Sequence, residues 1–91
     1  MYLGKVIGTV VSTSKDETLK GSKILVVARL DEKQAPTGET EIVVDSVGAG
    51  SGEIVIVSQG SAARFSKGRT NTVVDAAVVG IVDTVEIDGL A

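Results

Sequence analysis

An all-β fold is predicted for this 91-residue chain by three observations. β-Branched residues make up 31 of its positions (16 Val, 7 Ile and 8 Thr), and such side chains suit a pleated, half-buried surface. Five strand-like apolar runs are separated by turn signals rich in Gly, Ser, Asp and Pro. No amphipathic helix stands between them. The length allows one domain, residues 1–91, and a chain this short buries only about 60–65% of its unfolded surface.

The first run covers residues 3–12, LGKVIGTVVS, with Gly4, Val6, Gly8 and Val10 on one face. Glycine inside a strand marks a bend or a close backbone approach. A polar loop follows, in which Leu19 is the only large apolar residue and pins the loop down. The second run, residues 23–30, has a fully apolar face of Ile24, Val26, Ala28 and Leu30. Its other face reads Lys23, Leu25, Val27 and Arg29. Residues 31–39, with Pro36 and Gly38, form a long hairpin connection. The third strand is residues 40–45 and ends at the glycine-rich stretch 47–52. The fourth is residues 53–58. Ser61 caps one helical turn on Ala62, Ala63 and Arg64, and residues 67–72 form a basic polar connector. The fifth run, residues 73–87, is apolar on both faces between Asp75 and Asp83. Five short strands and one short helical turn fit a small five-stranded OB-like Greek-key barrel.

Composition excludes much chemistry. Without Cys or His there is no thiol nucleophile, disulfide, ordinary zinc site or Ser-His-Asp relay. A carboxylate or magnesium enzyme stays open. A net charge of −3 argues against nonspecific binding to nucleic acid or an anionic membrane. The N-terminus shows no signal-peptide pattern and no run reaches the length needed to span a bilayer, so a cytoplasmic location is expected.

A five-stranded barrel has one interior, so each strand of a monomer should be apolar on one face only. The second run breaks this rule at Leu25 and Val27 against Ile24 and Val26. The fifth breaks it at Ala77, Val79 and Ile81 against Ala76, Val78 and Val82. Another copy of the chain is the simplest cover for the surplus face. The alternative is a flattened sandwich that buries both sets.

Candidate ligand sites are weak. The stretch 48–52, GAGSG, is followed by Glu53 and a strand, whereas a phosphate loop needs a helix and no adjacent carboxylate. It reads as a tight turn. Asp75 and Asp83, placed on one strand, would sit about 26 Å apart, too far for one active site. Oligonucleotide or sugar binding by such a barrel uses aromatic platforms, and only Tyr2 and Phe65 are aromatic here. Lys67 and Arg69 make a small basic patch that reads as a solvated connector.

Taken together, GKVIGTVVSTSKDETLKGSKILVV at 4–27, VDSVGAGSGEIVIVSQGSAAR at 44–64 and VDAAVVGIVDTVEI at 74–87 resemble the EutN/CcmL family of bacterial microcompartment vertex proteins. The combination of D-x-V-G-A-G-x-G-E, G-S-A-A-R and D-A-A-V-V-G-I-V-D is specific. One departure is Val73, where the family commonly has Pro. The resemblance implies a pentameric ring that caps the vertices of a polyhedral shell and meets hexameric shell proteins along its edges. It also implies no catalysis, cofactor or metal, no nucleic-acid or membrane partner, and a location in the cytoplasmic shell. By the same resemblance, Asp45, Gly48, Gly50, Gly52 and Glu53 form a turn-shaping signature. Gly60, Ser61 and Arg64 match the second motif, and Asp75, Gly80 and Asp83 the third. All are expected to shape turns and subunit contacts. The competing expectations are a monomeric OB-type module binding oligonucleotide or oligosaccharide, and a carboxylate-based hydrolase.

Overall fold

The computed structural model describes residues 1–13, 17–19, 21–60 and 75–88. Five strands close a barrel in the order β1-β2-β3-β5-β4, with β1 at Tyr2–Val10, β2 at Lys23–Leu30, β3 at Pro36–Asp45, β4 at Ile54–Gln59 and β5 at Ala76–Ile81. All neighbours are antiparallel except β3 and β5, which run parallel. That arrangement is the expected five-stranded Greek-key barrel. The helical turn expected at Ser61 lies outside the described residues. The only helical turn among the described residues is a 3-10 turn at Glu17–Leu19. Leu19 there packs on Val44 and Ala77, as its isolation in a polar loop suggested.

The interior is filled by small branched side chains. Val6, Leu25, Val27, Val43, Val55, Val57 and Val78 are all fully buried. A narrow barrel has room for little more, which is why Val predominates and Tyr2 is the one aromatic in the cluster among the described residues. On β2 the inward face is Leu25 and Val27, the pair flanked by Lys23 and Arg29. The wholly apolar set Ile24, Val26 and Ala28 faces out and is only half-buried. At the far end of that set, Leu30 is buried.

Three strands depart from the sequence reading, each for a physical reason. The β2–β3 connection is tighter than nine residues, because the Asp31 carboxylate accepts the amides of Lys33 and Ala35 at 2.8 and 2.9 Å. Strand β3 therefore starts at Pro36, whose missing N–H is tolerated at a strand's first residue. β1 carries a bulge: Val6 pairs with Val27, but Gly8 pairs with Val26. Gly4 and Val6 thus face in while Gly8 and Val10 share the outer face with Val26 and Ile24, so the four do not form one face. Gly4 does mark a close approach, since a Cβ there would lie 3.3 Å from Val27. Finally, β5 stops at Ile81. Its last pairing is with Val55, and the Val82 amide donates to Ile54, the first residue of β4, at 2.8 Å. Beyond that point the barrel offers no strand to pair with.

Leu25→Ala removes a large, fully buried side chain from this rigid interior. It should lower the free energy of unfolding by about 3 kcal/mol, read by urea denaturation at a fixed subunit concentration.

Candidate functional site

Strand β3 ends at Asp45, which is only 3% exposed and turns its carboxylate onto the loop that follows. The two oxygens accept the amides of Val47 at 3.0 Å and Ala49 at 2.8 Å. Gly48 and Gly52 adopt φ of +87° and +85°, a region that L side chains rarely enter. At the other end of the loop Glu53 accepts the Gly50 amide with its carboxylate, and its own amide donates to the Gly50 carbonyl. The loop is also fastened to the barrel. Lys23 Nζ donates to the Ala49 carbonyl at 2.9 Å, the Gly52 amide donates to Val6 O at 2.8 Å, and the Val6 amide donates to Glu53 O at 3.0 Å. Every element of the D-x-V-G-A-G-x-G-E signature thus has a local task. The amides that a phosphate would need, those of Val47, Ala49, Gly50 and Gly52, are engaged within the chain, so the loop is a structural turn.

The other signature residues are more dispersed. The Gly60 amide donates to the Asp75 carbonyl at 2.8 Å, which ties the end of β4 to the start of β5. Ser61 and Arg64 lie outside the described residues. Gly80 pairs with Ile56, and a Cβ there would meet Ile56 Cδ1 at an ordinary 3.5 Å. Asp75 and Asp83 are exposed and lie just outside the two ends of β5, so they do not share one strand face as the longer strand would have required. Among the described residues no three acidic side chains gather in a way that could hold a metal ion.

A second cluster went unnoticed in the sequence. At one mouth of the barrel the Tyr2 hydroxyl donates to Glu41, Gln59 Nε2 reaches both Glu41 oxygens at 3.4 Å, and Arg29 lies 4.6 Å over the Tyr2 ring. Burial, and then the hydrogen bond to Glu41 and its charge, push the Tyr2 hydroxyl well above the usual phenol range. The group encloses a pocket of about 110 Å³ and plugs the barrel end. The available signal was Glu41, a charged residue placed opposite the inward Val27.

The outside of the barrel carries exposed apolar side chains. Ile7 and Ile42 are 51% and 54% exposed: Ile42 on β3 pairs with half-buried Val26, whose β1 partner is Gly8, and Ile7 is the bulge residue beside that pair. Ile81 and Ile87 form a separate exposed group at and beyond the end of β5. The single barrel is not flattened into a sandwich, and it leaves the surplus apolar face partly open: Ala77 is buried beneath Leu19, Ile24, Val26 and Val79 are half-buried, and Ile81 is exposed.

The family model described as "Ethanolamine utilisation protein EutN/carboxysome" matches residues 1–83. The bacterial microcompartment shell vertex protein GrpN of Rhodospirillum rubrum is 73% identical over 86 residues, 94% of this chain and 97% of that protein. The carboxysome shell vertex protein CcmL of a Synechocystis strain is 52% identical over 96% of this chain and 87% of its own length. Among solved structures, the GrpN pentameric microcompartment shell protein from Rhodospirillum rubrum superposes with a TM-score of 0.86. It shares 69% identity over 96% of this chain and 98% of its own.

Two outcomes follow from this geometry. Asp45→Ala strands two loop amides and should cost about 2 kcal/mol or more in urea unfolding, while Asp45→Asn, which keeps one oxygen acceptor, should cost less. The folded state holds the Tyr2 proton to higher pH than the unfolded state does, so Tyr2 contributes stability below the ordinary phenol pKa that is lost as pH rises above it. Denaturation across pH 9 to 11 (about the phenol range) should therefore show a steeper alkaline loss in the native chain than in Tyr2→Phe.

Proposed function

The chain belongs to the EutN/CcmL family, and from that membership we propose that it is a structural shell protein whose pentamers cap the vertices of a bacterial microcompartment. The pentameric GrpN structure carries this reading, because its similarity runs along nearly the whole of both chains. Hexagonal tiles alone make flat sheets, and a closed polyhedron requires five-fold units at its corners. The protein meets that requirement through shape: the ring sets a local curvature and its rim contacts hexameric shell proteins. No catalysis, cofactor or metal is part of this role, and its place is the shell within the cytoplasm. In this reading the Asp45–Glu53 clamp holds a rigid loop for assembly contacts, and Gly60, Ser61, Arg64, Asp75, Gly80 and Asp83 serve turns and subunit contacts.

Native mass spectrometry of the purified chain should give a dominant species of five copies. Co-expressed with a hexameric shell protein, it should convert open sheets or tubes into closed polyhedra. A dominant monomer that binds oligonucleotide or glycan would replace this reading with the binding-module one.

A further inference from the structure

A ring needs two unlike patches on each copy, because a heterologous contact joins one surface of a subunit to a different surface of the next. Among the described residues the exposed large apolar side chains, apart from Met1, fall into two groups. Ile7, Val11 and Ile42 lie at the β1–β2–β3 side, and Ile81 and Ile87 lie at and after the end of β5. In the closed order β1-β2-β3-β5-β4 the first group is centred on β2, the strand that pairs with neither β4 nor β5, while the second lies at and beyond the end of β5.

The first patch is concave. Next to Ile42 a cleft of about 220 Å³ is lined by Leu19, Ile24, Val43, Val44 and Asp75. The second patch continues into a segment with strand chemistry and, among the described residues, no strand partner. In residues 83–88, DTVEID, the apolar Val85 and Ile87 alternate with Thr84, Glu86 and Asp88, the period of a half-buried strand. Yet the last pairing of β5 is at Ile81, and residues 82–88 form no ladder among the described residues. An alternating segment that leaves its own sheet is suited to lie along a neighbour's strands. Of the charges at the receiving face, Asp75 in the cleft is like the segment's and Lys5 is opposite. Exposed Asp83, Glu86 and Asp88 accompany the segment, while exposed Lys5 borders the receiving face beside Ala28.

We propose that the ring closes by seating residues 81–88 of one copy on the outer face formed by Ile7, Val26 and Ile42 of the next copy. The occupant is a second copy of this chain. The proposal rests on the pentameric reading above and deepens it by assigning its two faces.

The test uses Ile42→Asp on the receiving face and Ile87→Asp on the donated segment, with Ile7→Asp as a second receiving-face variant. All three positions are at least 36% exposed in the single barrel, so circular dichroism should show each variant folded. By native mass spectrometry at micromolar subunit concentration, each variant alone should lose the pentamer and run as a monomer. An equal mixture of Ile42→Asp and Ile87→Asp should give a one-to-one dimer and nothing larger. Only one intact pair of faces remains there, Ile87 of the first variant on Ile42 of the second. A pentamer from any single variant, or a mixture that stays monomeric, overturns the face assignment and leaves the five-fold ring standing. A monomeric wild type removes the ring itself, and the assignment with it.

Discussion

The constraint on which this structure depends is volume: a five-stranded barrel has one narrow interior, and the chain carries more apolar side chains than it can hold. Val6, Leu25, Val27, Val43, Val55, Val57 and Val78 are all fully buried in it. Burying a side chain of this size stabilises by about 1.5–3 kcal/mol, so the interior alone can hold a small barrel closed. Ile24, Val26 and Ile42, which alternate with that set, are then forced outward. Apolar surface spread across three strands is an assembly feature, because isolated monomers rarely present such patches.

Two polar devices keep this open surface in one shape. The Asp45–Glu53 loop uses its own carboxylates to occupy its own amides and borrows Lys23 and Val6 to anchor itself to two strands. At the barrel mouth Tyr2, Glu41 and Gln59 satisfy one another's polar atoms, with Arg29 stacked on the ring. Rigid edges matter to a part whose contacts must repeat without drift around a closed shell. Neither device resembles a reaction centre. Hydrogen bonds are spent on holding backbone in place.

Much of this was legible in the residues. β2 was bounded correctly because its apolar run ends sharply at polar turns on both sides, and Leu19 announced its anchoring by being alone among polar neighbours. The doubled faces of β2 and β5 pointed to a second apolar surface. What periodicity could not show was which face goes in. The all-apolar face of β2 was the natural candidate, yet Leu25 and Val27 are the interior pair. The bulge at Ile7 hid the true faces of β1, since one extra residue reverses the alternation. Residues 36–39 read as loop because that end of β3 is exposed on both sides, so no large apolar residue marks it as strand. The fifth run read as one long strand because its alternation does continue to Ile87, past the last residue that its own barrel can pair. The Tyr2 cluster joins positions 2, 29, 41 and 59, and only barrel closure brings them together.

The absence of cysteine makes the central claim directly measurable. In a chain carrying Ile42→Cys and Ile87→Cys, the introduced thiols are the only ones present, and a short thiol-to-thiol crosslinker can join them only where the two positions meet. If residues 81–88 of one copy lie on the β1–β2–β3 face of the next, denaturing electrophoresis should show a ladder of covalent species ending at five chains. A product that stays at the 9.3 kDa mass of one chain, from a sample that is pentameric before crosslinking, would contradict the account.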